Sequence, residues 1–173
     1  KEKGLTIPVL WNSSAYEKIE TLQTLNGLID IYLPDFKYAH QVYAQKYSSA
    51  RDYPTVAIAA IKEMYSQVGL LTIDEKGIAP KGLLIRMLVL PHNLAGCKEN
   101  LRTLADELGT DITLSLMGQY YPTGKAKNYK ELAREISETE YSEVVDTALE
   151  LGFTHLFTQD ITSSDIWTPD FSS

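Results

Sequence analysis

Asp35 and Lys37 flank a single residue in the segment Leu33-Pro34-Asp35-Phe36-Lys37. In an extended chain side chains alternate, so these two point to one side. A carboxylate beside an ammonium suits a zwitterionic amino-acid moiety: the carboxylate takes the ligand's ammonium or a hydroxyl, and the lysine takes its carboxylate. At a surface turn the same two groups can instead pair with each other. Arg86 stands alone among apolar neighbours in Leu83–Leu90 and shares a face with Leu88, Leu90 and His92 by the same alternation. A guanidinium in such a strand needs an anion or carbonyls, because an unpaired buried charge is costly. A ligand carboxylate meets that need, and so does Asp35 or another internal acid. Asn12 and Ser13 follow the apolar run ending at Trp11 and fall at a strand mouth, where Ser13 or Ser14 can equally cap the next helix. His92, after Pro91, reads as polar lining rather than as a catalyst. Ser115, Met117 and Gln119 alternate towards Tyr120-Tyr121-Pro122, an aromatic pair that either packs in the core or flanks a planar ligand such as adenine.

Other chemistries lack their residues. There is no Walker A loop, no G-x-G-x-x-G, no serine in a nucleophile elbow and no His/Cys/Asp cluster at metal-ligand spacing. The single cysteine, Cys97, forms no internal disulfide, supplies no three- or four-thiolate metal site, and points to a reducing cytoplasm. With 16 Lys+Arg against 23 Asp+Glu, the net charge is −7, and without a basic block nucleic acid is not an expected partner. No apolar run approaches the roughly 18 residues a membrane span needs.

The elements that must position these residues alternate along the chain. Strands are predicted near Ile7–Trp11, Leu28–Leu33, Leu83–Leu90 and Ile112–Leu116, with a possible last one at His155–Thr158. Between them lie helical patterns: one opening on a Ser14/Glu17 capping box and closing near Gly27, one from Gln41 to Tyr47, one from Asp52 to Gly69, one carrying Cys97, Leu101, Leu104 and Leu108, and one opening on a Ser137/Glu140 capping box. Leu71–Asp74 and Gly77–Ala79 read as a small hairpin insertion over about residues 70–82. Strands alternating with helices mean an α/β fold with parallel strands. Four or five strands make an open sheet or part of a barrel, and either places ligands at the C-terminal strand ends.

The wording of three strands is similar to a known family. Val9-Leu10-Trp11-Asn12-Ser13-Ser14-Ala15-Tyr16, Asp30-Ile31-Tyr32-Leu33-Pro34-Asp35-Phe36-Lys37-Tyr38 and Arg86-Met87-Leu88-Val89-Leu90-Pro91 resemble the later strands of radical S-adenosylmethionine proteins, in particular the pyruvate formate-lyase activating enzyme-like group. The insertion Ile73–Ala79 fits the same branch, and the likeness runs from about Leu5 to Tyr121, more weakly to Gly152. The resemblance implies a fragment of a partial (βα)6 TIM-like barrel over residues 1–152, followed by a C-terminal strand and loose tail over 153–173. It implies S-adenosylmethionine and one 4Fe-4S cluster as cofactors of a parent protein. The parent would make a 5′-deoxyadenosyl radical that takes hydrogen from a glycine of a target protein, with flavodoxin or ferredoxin as electron donor. By position in the motifs, Asn12, Asp35, Lys37 and Arg86 carry contacts to the cofactor's methionyl part, and Ser13 and His92 complete the candidate cofactor-binding set.

The sequence also departs from the family pattern. The Cys-x3-Cys-x2-Cys loop and the Gly-Gly-Glu segment are absent and would lie upstream of Lys1. His92-Asn93 follows Pro91 where a glycine is expected, and Gln119 or Tyr120 stands where a histidine is expected. The chain therefore reads as the C-terminal part of such a protein, inert by itself, with an open first edge where a second copy could dimerise. Two other readings remain open at this point. One is a complete small βα enzyme using Asp35, Lys37 and Arg86 on an anionic or amino-acid substrate, with Lys37 as a Schiff-base amine; the other is a non-catalytic interaction domain.

Overall fold

The computed structural model describes residues 4–159. Five parallel strands pair in chain order: β1 (Leu10–Ser13), β2 (Ile31–Pro34), β3 (Gly82–Leu88), β4 (Thr113–Met117) and β5 (Leu156–Phe157). The helices are α1 (Ile19–Thr24), α2 (Gln41–Ser48), α3 (Tyr53–Val68), α4 (Cys97–Leu108) and α5 (Glu138–Glu150). Parallel neighbours joined in sequential order by right-handed crossovers put every helix on the same face of the sheet. The result is α/β, an arc of the kind that closes in a βα barrel.

Burial follows the strand alternation. In β3, Leu83, Ile85 and Met87 are buried while Leu84, Arg86 and Leu88 are half-buried. In β4, Leu114 and Leu116 are buried while Ser115 and Met117 are half-buried. The buried set faces the helices, where Ile61 and Met64 of α3, Leu101 and Leu104 of α4 and Val144 of α5 complete one core. The opposite face holds the half-buried strand residues, Arg86 and Ser115 among them.

The first two strands start well after the positions the sequence predicts. β1 begins at Leu10, because Pro8 has no N–H for a ladder. The Val9 N–H goes to the Asp30 carboxylate at 2.7 Å. β2 begins at Ile31 because Gly27 (φ 78) and Leu28 still belong to the turn closing α1. The Ser14/Glu17 capping box does not form. Ala15 is buried in a left-handed conformation (φ 58), Ser13 Oγ accepts its N–H, and α1 starts only at Ile19 with no side-chain cap. The Ser137/Glu140 box forms in full at the start of α5.

The expected hairpin is reduced to a turn. Thr72 and Lys81 form one antiparallel bridge, with Asp74 Oδ1 accepting the N–H groups of Lys76 and Ile78 at the tip. The last strand is short and lies beside β4 as expected. Most of the tail expected to be loose lies outside the described residues.

Candidate functional site

The β2–β3 ladder runs through Ile31–Gly82 and Tyr32–Leu83, skips Leu33 and Pro34, the second of which has no N–H to give, and resumes as a single bridge between Asp35 and Arg86. That bridge sets two charged residues side by side at the C-terminal end of the sheet. Arg86 Nε donates to Asp35 Oδ1 at 2.7 Å, and its Nη2 lies 2.6 Å from the same oxygen. Lys37 Nζ donates to Asp35 Oδ2 at 2.7 Å. From β1, Asn12 Oδ1 accepts from Arg86 Nη2 at 2.6 Å. Four of the six sequence-predicted residues thus form one network across three adjacent strands.

The backbone beneath this network is fixed. Phe36 is buried and its N–H donates to the Arg86 carbonyl at 2.8 Å, while Asp35 N–H donates to the Ser13 carbonyl at 2.9 Å. Tyr53, the first residue of α3, donates its hydroxyl to the Asp35 carbonyl (2.7 Å) and accepts the Lys37 N–H (2.8 Å). Burial, first among its causes, pushes the Tyr53 phenol up, so it stays a neutral clamp at ordinary pH. Sequence reasoning missed Tyr53: it is one of eleven tyrosines, and nothing in its spacing points to the strand end.

Charge at the network is unbalanced. Lys37 and Arg86 share one carboxylate among the described residues, leaving a surplus positive charge in a chain of net charge −7. The side chains are 42% (Lys37), 25% (Arg86) and 18% (Asp35) exposed, so a ligand can reach the cations. The two options left open for Arg86 are resolved in part: its partner here is Asp35, and its position still allows a ligand anion.

The other two predicted residues lie elsewhere. Ser13 Oγ serves the turn at Ala15. His92 sits in a left-handed conformation (φ 57) beyond β3. Its N–H donates to Glu140 Oε1 at 2.7 Å, and its Nε2 lies 3.3 Å from Arg134 Nη2. Arg134 also donates to both oxygens of Glu140, each at 2.7 Å. His92 therefore belongs to a contact between the β3 exit and α5, not to the Asp35 network.

Beside the network, a cleft of about 240 Å³ opens at the exits of β2, β3 and β4. Tyr38, Tyr47, Tyr120 and Tyr129 line it together with Lys37 and Lys125. Of the expected aromatic pair, Tyr120 enters this cleft and Tyr121 is exposed.

Among the described residues no group of three or more His, Cys, Asp or Glu side chains is arranged to hold a metal ion. Cys97 is buried, its thiol lies 3.6 Å from the Leu88 carbonyl, and burial pushes it up to about 12. No helix among these residues is long and apolar enough to cross a membrane.

No family model matches the chain, and no solved structure matches it. An uncharacterized protein of Methanocaldococcus jannaschii is 32% identical over 146 residues, which is 84% of this chain and 38% of the relative. The chain thus spans 38% of the length of the curated relative it matches, and the relative's description gives no activity.

Proposed function

We propose that this chain is the C-terminal part of a cytoplasmic radical S-adenosylmethionine enzyme resembling pyruvate formate-lyase activating enzyme. The observation that carries the reading is the convergence of Asn12, Asp35, Lys37 and Arg86 at the C-terminal ends of three consecutive parallel strands. Their chemistry fits the methionyl end of the sulfonium: Asp35 for its ammonium, Lys37 and Arg86 for its carboxylate, and the Asn12 amide as a further polar partner. When bound and reduced, S-adenosylmethionine supplies a 5′-deoxyadenosyl radical. The chain's own part is to orient the methionyl group. The Tyr53 clamp and the Phe36–Arg86 backbone hydrogen bond hold the binding side chains in place before the ligand arrives.

The 4Fe-4S cluster does not fit this chain's own residues. Its loop needs three thiolates, and the one cysteine is a buried thiol on α4. In this reading the cluster ligands, the contact with a target protein's glycine and the docking of a flavodoxin or ferredoxin belong to a longer parent. The 38% coverage of the relative is compatible with that.

A second reading is favoured by one observation: Asp35 already satisfies both cations. The network is then an internal lock in a non-catalytic interaction domain.

Titration of S-adenosylmethionine into the 173-residue chain by calorimetry separates the two readings. Weak saturable binding that falls at least tenfold in both Asp35→Ala and Arg86→Ala supports the cofactor site; no heat from either the chain or its variants supports the lock. The complete reading frame, reconstituted anaerobically with iron and sulfide, is expected to show 4Fe-4S absorbance and to form 5′-deoxyadenosine. Absence of a Cys-x3-Cys-x2-Cys motif from that reading frame would refute the proposal.

A further inference from the structure

The aromatic cleft beside the Asp35 network has walls of fixed chemistry. Each tyrosine hydroxyl lining it is already engaged: Tyr38 with Ser48 Oγ at 3.1 Å, Tyr47 with Glu131 at 2.8 Å, Tyr120 with the Leu132 carbonyl at 2.8 Å, and Tyr129 with the Lys46 carbonyl at 3.2 Å. These bonds lock the rings and direct the hydroxyls to protein partners, so the cleft offers a ligand aromatic surface. Tyr38 and Tyr129 both pack on Tyr47, with centroids 6.5 Å and 5.1 Å apart, which braces the walls further. Leu88 and Leu90 add aliphatic surface from the β3 exit.

The charged side chains that line it are of one sign, and of the two the Lys37 ammonium also holds Asp35. Lys37 and Lys125 line the cleft, and no carboxylate does among the described residues. Two acids stand just behind the lining and are already bound: Asp35 by Lys37, and Glu131 by Lys46 and the Tyr47 hydroxyl. A nucleobase needs donors and acceptors along its edge, and the lining side chains offer only two ammonium groups. The volume, about 240 Å³, falls just below the roughly 300–1,000 Å³ of pockets that enclose drug-sized ligands, which limits the guest to one or two rings.

We propose that this cleft binds a small planar aromatic carboxylate, its ring against the tyrosines and its anion at Lys125 and Lys37. Stacked or edge-on rings gain from aromatic walls beyond simple burial, and an ammonium at the rim selects the anion. The aromatic walls and Lys125 need neither S-adenosylmethionine nor a cluster; Lys37 is shared with the cofactor reading, so the anion rests on Lys125 wherever Lys37 is engaged there.

The test uses 2-naphthoate as the probe, followed by its own fluorescence on titration with the 173-residue chain. Saturable one-to-one binding is expected. The neutral 2-naphthamide and the non-aromatic cyclohexanecarboxylate should each bind at least tenfold more weakly, the second measured by competition. Lys125→Ala changes an exposed side chain and should weaken naphthoate several-fold. Ala126→Trp, which fills the cleft from its rim, should abolish binding while circular dichroism stays that of the parent chain. No saturable binding, equal affinity for the amide, or full retention of binding in a folded Ala126→Trp variant overturns the proposal.

Discussion

Asp35 is the residue on which the polar network depends, because its carboxylate pairs with both Lys37 and Arg86. Replacing it with alanine leaves Arg86 and Lys37 close together without their shared anion. Replacing Arg86 with methionine leaves Asp35 still paired with Lys37 and adds apolar packing on a strand. Removal of one partner of a partly buried charged pair costs about 1–3 kcal/mol. Asp35→Ala is therefore expected near the upper end of that range and Arg86→Met near or below the lower end. Urea denaturation of both variants checks the order; equal losses would mean that Asp35 does not carry the network. At this scale the sequence was informative where alternation alone decides direction. Asp35-x-Lys37 put both groups on one side, and Arg86 stood out as the one charge in an apolar strand. Tyr53 was invisible, because its role arises from a contact between a helix start and a strand end sixteen and eighteen residues earlier. The alternation that set His92 on the Arg86 face stops where the backbone enters the left-handed region at His92 and Asn93.

Between elements, Glu140 ties the β3 exit to α5. Its carboxylate accepts from Arg134, from the His92 N–H and, at 2.8 Å, from the Ser137 N–H of its own capping box. The Arg134 guanidinium, ahead of those backbone groups and against the opposing effect of burial, holds the Glu140 carboxyl well below the usual carboxylate range. Lys46, with help from the Tyr47 hydroxyl, lowers Glu131 to about 2. A carboxyl whose folded pKa is depressed adds stability that is full above its ordinary value of 4.5 and is lost as pH falls through the folded value. Unfolding free energy should therefore fall from about pH 4.5 towards pH 2, and Glu140→Gln should flatten that slope, as denaturant titrations at several pH values would show. A slope unchanged in the variant would mean the tie is not formed. Gly82 makes a second prediction at this scale. It opens β3 at φ +127, and a Cβ there would lie 2.3 Å from Leu71 Cα and 2.4 Å from the Leu70 carbonyl oxygen. Backbone strain alone costs of order 1–3 kcal/mol, and the close backbone leaves no flexible side chain to move aside. Gly82→Ala should lower Tm by roughly 2–4 °C for each kcal/mol, several degrees in all, in a chain of this size. The apolar stripes and the Ser137/Glu140 box made α3, α4 and α5 legible in the sequence. The Ser14/Glu17 pattern misled because the buried left-handed turn at Ala15 delays α1, which no local pattern announces.

For the molecule as a whole, alternating periods of two and 3.6 residues were enough to give parallel strands with helices on one face. The ordering β1 to β5 follows from short crossovers and one handedness. That architecture leaves β1 with an outer edge that pairs with no strand among the described residues. Around it Ile7, Leu10 and Leu28 are exposed apolar side chains. Backbone N–H and C=O groups in a row, bordered by apolar surface and without a bulge, are a template for another strand. Pro8 blunts only the strand's entrance, and the edge carries no lysine between Leu10 and Ser13. The 173-residue chain is therefore expected to associate with itself through β1, giving a sedimentation coefficient that rises with concentration in the micromolar to millimolar range. Leu10→Lys places a charge at the edge without touching the Asn12–Arg86 contact and should return the chain to a monomer at every concentration. Association that persists in this variant would place the interface elsewhere. A monomer in the unmodified chain at every concentration would overturn the expectation.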